Sequence, residues 1–150
     1  MKNIQKKKRV QLSVPATDDQ VLLGLACSDP DYKLSLKINK KLHISLKSTA
    51  PLPAGNESGT GPAFTRFADM TAEQDSYFRL ISNRSGSEFL LRKLKNLDYL
   101  IEIYNPSAVY DISCIVQHLR EIDTITAVFN VDLKQIKDKG LTYLFSQGSD

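Results

Sequence analysis

Four strand-like segments joined by short polar connections restrict the fold of this chain more than any other feature. Each segment is rich in aromatic, leucine or isoleucine residues. The segments are residues 64–69, 76–83, 89–91 and 97–104. Short connections such as the glycine-containing turn at 83–87 join antiparallel neighbours, because a parallel neighbour needs a crossover of about a dozen residues or more. The sequence therefore predicts an antiparallel meander in this region.

The residues before the meander predict a strand, a helix, a second strand and a loop. The apolar run at 20–27 is typical of a buried strand. Residues 32–42 alternate like a strand but also space apolar residues as a helix does. We favour the helix, because Ser-Asp-Pro at 28–30 supplies a capping side chain and a proline suited to a first turn. A strand at 43–47 follows, and residues 48–62, with three prolines and three glycines, predict a long mobile surface loop.

The residues after the meander predict a helix, a strand and a short helix. A helical apolar stripe follows the Asn-Pro-Ser sequence at 105–107. Residues 124–131 alternate as a strand. The residues expected on one face of that strand are Ile125, Ala127, Phe129 and Val131. A short helix at 133–139, ended by Gly140, is the last predicted element.

This order of elements predicts an α+β fold, with a largely antiparallel sheet and two main helices packed on one face. A chain of 150 residues is long enough for one domain with its own core. We expect a single α+β domain over residues 18–147, preceded by a flexible basic tail over residues 1–17.

Positive charge is concentrated in that tail. The formal net charge is +3, and five cations precede the first acidic residue, Asp18, so the rest of the chain carries −2. Four of the cations are consecutive and are candidate contacts to nucleic-acid phosphates. These candidates are Lys6, Lys7, Lys8 and Arg9. The alternative, which we favour, is a solvated terminus that aids solubility.

Composition favours a reducing compartment. Two cysteines are too few for a disulfide framework. The longest apolar run has seven residues, whereas a membrane-spanning helix needs about 20. No apolar stretch of signal-peptide type follows the basic start. We expect a cytoplasmic protein without a membrane-spanning helix.

An acidic residue, Asp98, interrupts an otherwise apolar strand-like run, and its surroundings resemble the motif that names the IPExxxVDY family. The matching positions are Leu91 at the isoleucine, and Leu97, Asp98 and Tyr99 at the valine, aspartate and tyrosine. Arg92 and Lys93 replace the proline and glutamate of the motif. Shorter likenesses occur at 31–32, 39, 82–84 and 129–133, so that the resemblance covers residues 18–145.

The resemblance implies a small cytoplasmic bacterial protein whose biochemical activity is not established. The genes of such proteins often lie near those of a double-strand-specific ribonuclease and pyruvate kinase, which hints at RNA or central metabolism. The family has no catalytic residues that could be transferred to this chain.

Asp98 has a functional and a structural interpretation. In a cleft it could serve as an acid with a perturbed pKa. At the head of a strand, an aspartate more often caps a turn or pairs with a nearby cation, here Lys95 or Arg92. We favour the structural interpretation.

The cysteine and histidine residues could in principle form a zinc site. Cys114 and His118 are four residues apart on one predicted helix, so they share a face. Cys27 and His43 lack the paired spacing of a zinc knuckle, and isolated cysteines are mostly small buried apolar groups. We therefore predict no metal ligands and no cofactor.

Two further patterns suggest ligands less strongly. The turn at 84–87 could cradle an anion, although turns of this kind occur in most antiparallel sheets. Aromatic and basic residues interleave in a way that could stack and hold single-stranded nucleic acid, or could simply reflect a one-sided sheet. These residues are Tyr77, Phe78, Tyr99 and Tyr104 with Arg79, Arg92, Lys93 and Lys95.

Three functional classes follow from the sequence. We favour a non-enzymatic module that binds a protein partner, because no catalytic constellation can be assembled from these residues. The alternative is an RNA-associated accessory protein that uses the basic tail and an aromatic sheet face. The third class is a small enzyme whose site cannot be recognised from sequence.

Overall fold

A six-stranded antiparallel sheet is the frame of the molecule. The structure is a computed structural model that describes residues 20–53, 61–69, 77–104, 111–138, 140–141 and 144. The elements in chain order are β1 (Gln20–Cys27), α1 (Asp31–Leu42), β2 (Lys47–Pro53), β3 (Ala63–Asp69), β4 (Tyr77–Ser82), β5 (Arg84–Ser85), β6 (Glu88–Phe89), a 3-10 helix (Arg92–Leu94), β7 (Tyr99–Tyr104), α2 (Ile112–Arg120) and β8 (Ile125–Asn130).

The strand order across the sheet is β2-β3-β4-β7-β1-β8, and every neighbouring pair is antiparallel. β5 and β6 form a separate hairpin, whose turn holds Gly86 at a positive φ of 61° that favours glycine. Within the described residues, β2 and β8 are the two edge strands. The predicted α+β class, with a mostly antiparallel sheet and two main helices, is confirmed.

Both helices pack on one face of the sheet. Side chains alternate along each strand, so every second residue of the central strands points toward the helices. These residues form the helix-side core, which includes Leu34 and Ile38 from α1, Ile115 and Leu119 from α2, and Leu23, Leu25, Phe78, Leu80, Ile101 and Ile103 from the strands. The intervening strand residues belong to the opposite face.

The opposite face has a second core, and neither α1 nor α2 packs over it. Its buried residues are Leu22, Leu52, Phe64, Ile81, Leu90, Leu91, Leu97, Leu100, Val131 and Leu144. Leu94 from the 3-10 helix, and Leu133 and Ile136 from the segment after β8, pack against it. Short segments, among them the 3-10 helix and the helical residues 140–141 and 144, therefore pack on this face of the sheet.

The helix favoured for residues 32–42 is confirmed, but its cap differs from the prediction. Pro30 is the N-cap residue of α1, and no side chain caps that end. Asp29 instead points toward the helix side chains, where its carboxylate lies 2.8 Å from the Lys37 ammonium and accepts a 2.7 Å hydrogen bond from the Thr124 hydroxyl. These contacts lower the pKa of Asp29, the Lys37 hydrogen bond being the largest cause.

The strand predicted at 43–47 is misplaced, since β2 begins at Lys47 and continues to Pro53. The loop predicted over 48–62 is therefore wrong for residues 48–53, and residues 54–60 lie outside the described part. An edge strand tolerates Pro51 and Pro53 because one of its sides makes no ladder hydrogen bonds.

The region around the 3-10 helix also departs from the predicted meander. The strand predicted at 89–91 is reduced to the end of β6, because Leu90 and Leu91 turn into the second core. The strand predicted from residue 97 begins at Tyr99. The short polar connection between the strands predicted at 64–69 and 76–83 lies outside the described residues.

The elements near the C-terminus are shorter than predicted. α2 begins at Ile112, where Asp111 caps it by accepting a 2.9 Å hydrogen bond from the Ser113 N–H. The helix predicted at 133–139 is wrong, since residues 133–135 make a single turn and Gly140 is itself helical. The Asp138 carboxylate accepts a hydrogen bond from the Lys93 N–H at 2.9 Å, which directs the chain toward the 3-10 helix instead.

Candidate functional site

Asp98, the acidic residue of the sequence motif, connects the six-stranded sheet to the separate β5–β6 hairpin. One carboxylate oxygen accepts a 2.8 Å hydrogen bond from the Cys27 N–H at the end of β1. The other lies 3.0 Å from the Arg84 guanidinium of β5. The ion-pair partner is therefore Arg84, and the suggested partners Lys95 and Arg92 were wrong. Arg92 lies 3.5 Å from Glu88, and Lys95 lies over the Phe89 ring.

The other motif positions are interior residues. Leu91 and Leu97 are buried in the second core. Tyr99 is buried in the helix-side core, and its hydroxyl donates a 2.6 Å hydrogen bond to the Asp29 carbonyl. Burial, and after it the charge of Asp31, raises the pKa of Tyr99, so the hydroxyl remains a donor. Together these positions attach the segment from 91 to 99 to the sheet.

Asn83 holds the same segment from the other side. It is fully buried, its side-chain carbonyl accepts from the Leu91 N–H at 2.7 Å, and its amide donates to the Leu94 and Leu97 carbonyls at 3.0 and 2.9 Å. The sequence marked Asn83 only as part of a turn. Its three side-chain hydrogen bonds show that it fixes the loop containing the 3-10 helix.

The aromatic and basic sheet face suggested by the sequence does not form as one surface. Phe78 and Tyr99 point to the helix side and are buried there. Tyr77 and Tyr104 stack on each other across β4 and β7, with ring centroids 5.0 Å apart. Arg79 is buried in an ion pair, while the cations at 92–95 lie in or beside the 3-10 helix. The candidate base-stacking residues are therefore divided between the two faces.

A buried ion pair lies beside the stacked tyrosines. Arg79 and Glu102, directly opposite each other on β4 and β7, are 7% and 1% exposed, and their charged atoms are 3.4 Å apart. Gln20 donates a 3.3 Å hydrogen bond to the same carboxylate. Burial raises the pKa of Glu102, and the charge of Arg79 opposes that rise.

The remaining candidates of the sequence are placed separately. Cys27 is buried, whereas Cys114 is exposed on α2 and His43 lies at the C-terminal cap of α1. In the described part of the chain, no group of three or more histidine, cysteine or acidic residues could hold a metal ion. In the suggested anion turn, Arg84 is engaged by Asp98. Residues 6–9, the candidate nucleic-acid contacts, lie outside the described residues.

An apolar groove of about 420 Å³ opens between the 3-10 helix segment, the end of β8 and the turn that follows it. Its walls include Leu94, Leu97, Phe129, Val131, Gln135 and Ile136. Phe129 is 45% exposed, and among the described residues the other exposed large apolar side chains, Tyr32 and Leu36, lie on α1.

The sequence placed Phe129 on one face of the strand with Ile125, Ala127 and Val131. This prediction was wrong, because the four residues do not all share one face. Ala26 pairs with Ala127 but Cys27 pairs with Ile125, so Thr126 is an extra residue. Such a bulge changes the phase of the alternation. Ile125 and Val128 consequently belong to the helix-side core, whereas Val131 belongs to the second core and Phe129 lines the groove.

The backbone of β8 presents hydrogen-bonding groups next to this groove. The Val131 N–H donates to the Leu22 carbonyl at 2.9 Å, and Asn130 is opposite Leu23. Because hydrogen-bonded pairs alternate in an antiparallel ladder, Val128 and Asn130 direct their N–H and C=O groups to the open side of β8.

The two sheet edges differ in how well they resist an added strand. β2 contains two prolines and a lysine, and its pairing with β3 is irregular between Thr49 and Leu52. Such features protect an edge from further strand pairing. β8 has the sequence Ile-Thr-Ala-Val-Phe-Asn, without a proline or a charge. Among the strands that the structure describes, the unprotected edge is thus the one beside the groove.

Comparisons with known proteins found no relative of this chain. No family model, curated protein or solved structure matches the chain. Membership of the IPExxxVDY family therefore stays a prediction. Within the described residues, no helix is both long and apolar enough to cross a membrane.

Proposed function

We propose that this protein is a non-enzymatic module that binds an extended segment of a partner protein along β8. The segment adds a seventh strand to the sheet, and one of its apolar side chains enters the groove beside Phe129. The observation that carries the proposal is the combination of an edge without proline or charge with an adjoining apolar groove. Main-chain hydrogen bonds provide affinity in this mode of recognition, and a side-chain pocket provides specificity.

The expected interaction is moderate in strength. Burial of one leucine-sized side chain contributes about 1.5–3 kcal/mol. Each net main-chain hydrogen bond adds about 0.5–1.5 kcal/mol, and the loss of partner freedom opposes both. We therefore expect reversible binding, in the cytoplasm, as suits a regulatory or adaptor protein.

The RNA-associated alternative has less support. Its first element, residues 6–9, lies outside the described residues. Its second element, the aromatic sheet face, is divided because Phe78 and Tyr99 point into the helix-side core. We therefore treat RNA binding as an outcome to be tested rather than as a second proposal.

Replacing Asn130 by proline tests the proposal. The Asn130 N–H faces the open edge, so Asn130→Pro removes a donor needed by an added strand and leaves the hydrogen bonds to β1 in place. We expect tagged wild-type protein to capture a set of proteins from native lysate even after nuclease treatment. Asn130→Pro should lose at least one of these proteins.

The matched control is Asn130→Ser, which changes the same exposed side chain but keeps the N–H. It should retain the proteins that Asn130→Pro loses, with equal urea midpoints showing that both variants are folded. Capture that is identical for the two variants, capture that disappears with nuclease, or no capture by the wild type would each contradict the proposal.

A further inference from the structure

We infer that the segment received by β8 is acidic, and that it places aspartate or glutamate two residues from the apolar residue that enters the groove. This inference rests on the proposed function and specifies the chemistry of the partner. It follows from the charged side chains around the groove. The carboxylates there accept hydrogen bonds from backbone N–H groups, whereas the lysines make no ion pair within the described residues.

Among the described residues, the lysines on the segments that form the groove have no ion partner. Lys93 lines the groove, and Lys134 and Lys137 are adjacent in sequence to the wall residues Gln135 and Ile136. All three are exposed, and none forms a salt bridge within the described residues. Three positive charges therefore lie on the segments that form the groove, one of them, Lys93, in its wall.

The carboxylates at the groove, where Asp132 is itself a wall residue, accept hydrogen bonds from the protein's own backbone. Asp132 accepts a 3.0 Å hydrogen bond from the Lys134 N–H. Asp138 accepts hydrogen bonds from the Lys93 and Gly140 N–H groups at 2.9 and 3.0 Å. These N–H groups direct their positive dipole ends at the two carboxylates, which keep their charge, whereas the three ammonium groups have no such partner among the described residues. The groove consequently favours an anionic ligand.

The geometry of a strand sets the spacing of the partner residues. Side chains at positions i and i+2 of a strand point to the same face. An apolar residue directed into the groove therefore has its i±2 neighbours on the face of the sheet over which the lysine-bearing segments pack. Acidic residues at those positions provide the complementary charge, whereas lysine or arginine there would be repelled.

A peptide fits this site better than nucleic acid does. Phe129 provides one aromatic wall, but the walls at Leu94, Leu97, Val131 and Ile136 are aliphatic, and the neighbouring edge offers main-chain N–H and C=O groups. A polypeptide can pair with such an edge, whereas bases bind by stacking on aromatic side chains. Positive charge alone would not distinguish the two ligands, so the test includes both.

The test is a selection from a phage-displayed library of random eight-residue segments. We expect wild-type protein and Asn130→Ser to enrich segments with one large apolar residue and acidic residues at i±2, and Asn130→Pro to enrich none of them. Enrichment without acidic residues, with the same loss for Asn130→Pro, would overturn this inference and leave the proposed function intact. Enrichment equal in all three proteins, or none in any, would overturn both.

Charge variants then measure the role of the lysines. We expect the triple variant Lys93→Ser, Lys134→Ser, Lys137→Ser to bind an enriched synthetic peptide about tenfold more weakly and with less dependence on salt. The control, Lys33→Ser, Lys40→Ser, Lys47→Ser, removes equal charge from exposed positions elsewhere and should bind as the wild type does. Equal affinity of the two triple variants would overturn the inference. So would oligouridylate binding that requires Lys93, Lys134 and Lys137 but is unchanged in Asn130→Pro.

Discussion

Asn83→Ala should destabilise the protein by about 3–5 kcal/mol, because it leaves buried backbone groups without partners. The Leu91 N–H would lose a 2.7 Å hydrogen bond, and the Leu97 carbonyl one of 2.9 Å. The Leu94 carbonyl keeps the 3.1 Å hydrogen bond from the Leu97 N–H, so its loss is smaller. Urea unfolding measures the effect as a shift of the midpoint.

The adjacent residue provides a control for this prediction. Ser82 is only half-buried, and its hydroxyl bonds locally to the Arg84 carbonyl. Ser82→Ala should therefore cost about 1 kcal/mol or less. Equal midpoints for Asn83→Ala and Ser82→Ala would show that Asn83 does not hold the segment from 91 to 97. Since that segment supplies Leu94 and Leu97 to the groove, Asn83→Ala should also weaken binding.

The second large effect is expected for Arg79→Met, which should destabilise the protein by roughly 3–5 kcal/mol at pH 7. The substitution keeps an apolar side chain of similar length but removes the cation beside Glu102, which is 1% exposed. The double variant Arg79→Met, Glu102→Leu should recover most of this stability, because no buried charge remains. A double variant no more stable than Arg79→Met would contradict this explanation.

The loss in Arg79→Met should also depend on pH. The pKa of Glu102 in the folded protein is already raised above its ordinary value of 4.5 by burial, and Arg79 limits that rise. Because Glu102 holds its proton more tightly in the folded than in the unfolded protein, protonation of Glu102 contributes to folding stability. This contribution is fully present below about pH 4.5 and is lost as the pH rises through the folded pKa. Without Arg79 the folded pKa is higher still, so more stability is lost. The difference from the wild type should therefore be smaller at pH 4 than at pH 7.

The sequence predicted much of the fold because local periodicity carries that information. The apolar run of β1 and the helical spacing in α1 both specify elements that the structure contains. The boundaries of β2 were missed, because proline normally excludes a strand and is acceptable here only at an edge. The position of a strand within the sheet is set by pairing between distant residues, which local patterns do not contain.

The candidate site was less predictable for the same reason. Phe129 has the alternation of a core residue, and only the pairing of β8 with β1 reveals the extra residue at Thr126. Arg79 and Glu102 are far apart in sequence and meet through the register of β4 and β7. The groove combines three separate segments of the chain. Asp98 and Tyr99 belong to the sequence motif, and in the structure both make hydrogen bonds that attach their segment to the rest of the molecule.

The most direct test of the docking proposal is photo-crosslinking in living cells with p-benzoyl-phenylalanine at position 129. The proposal predicts a crosslink to an extended segment of another protein, at a residue close to acidic side chains, that disappears when Asn130→Pro is added. The same group at Gln117, exposed on α2, should give no such product. Absence of a crosslink from position 129, or the same product from position 117, would contradict binding along β8.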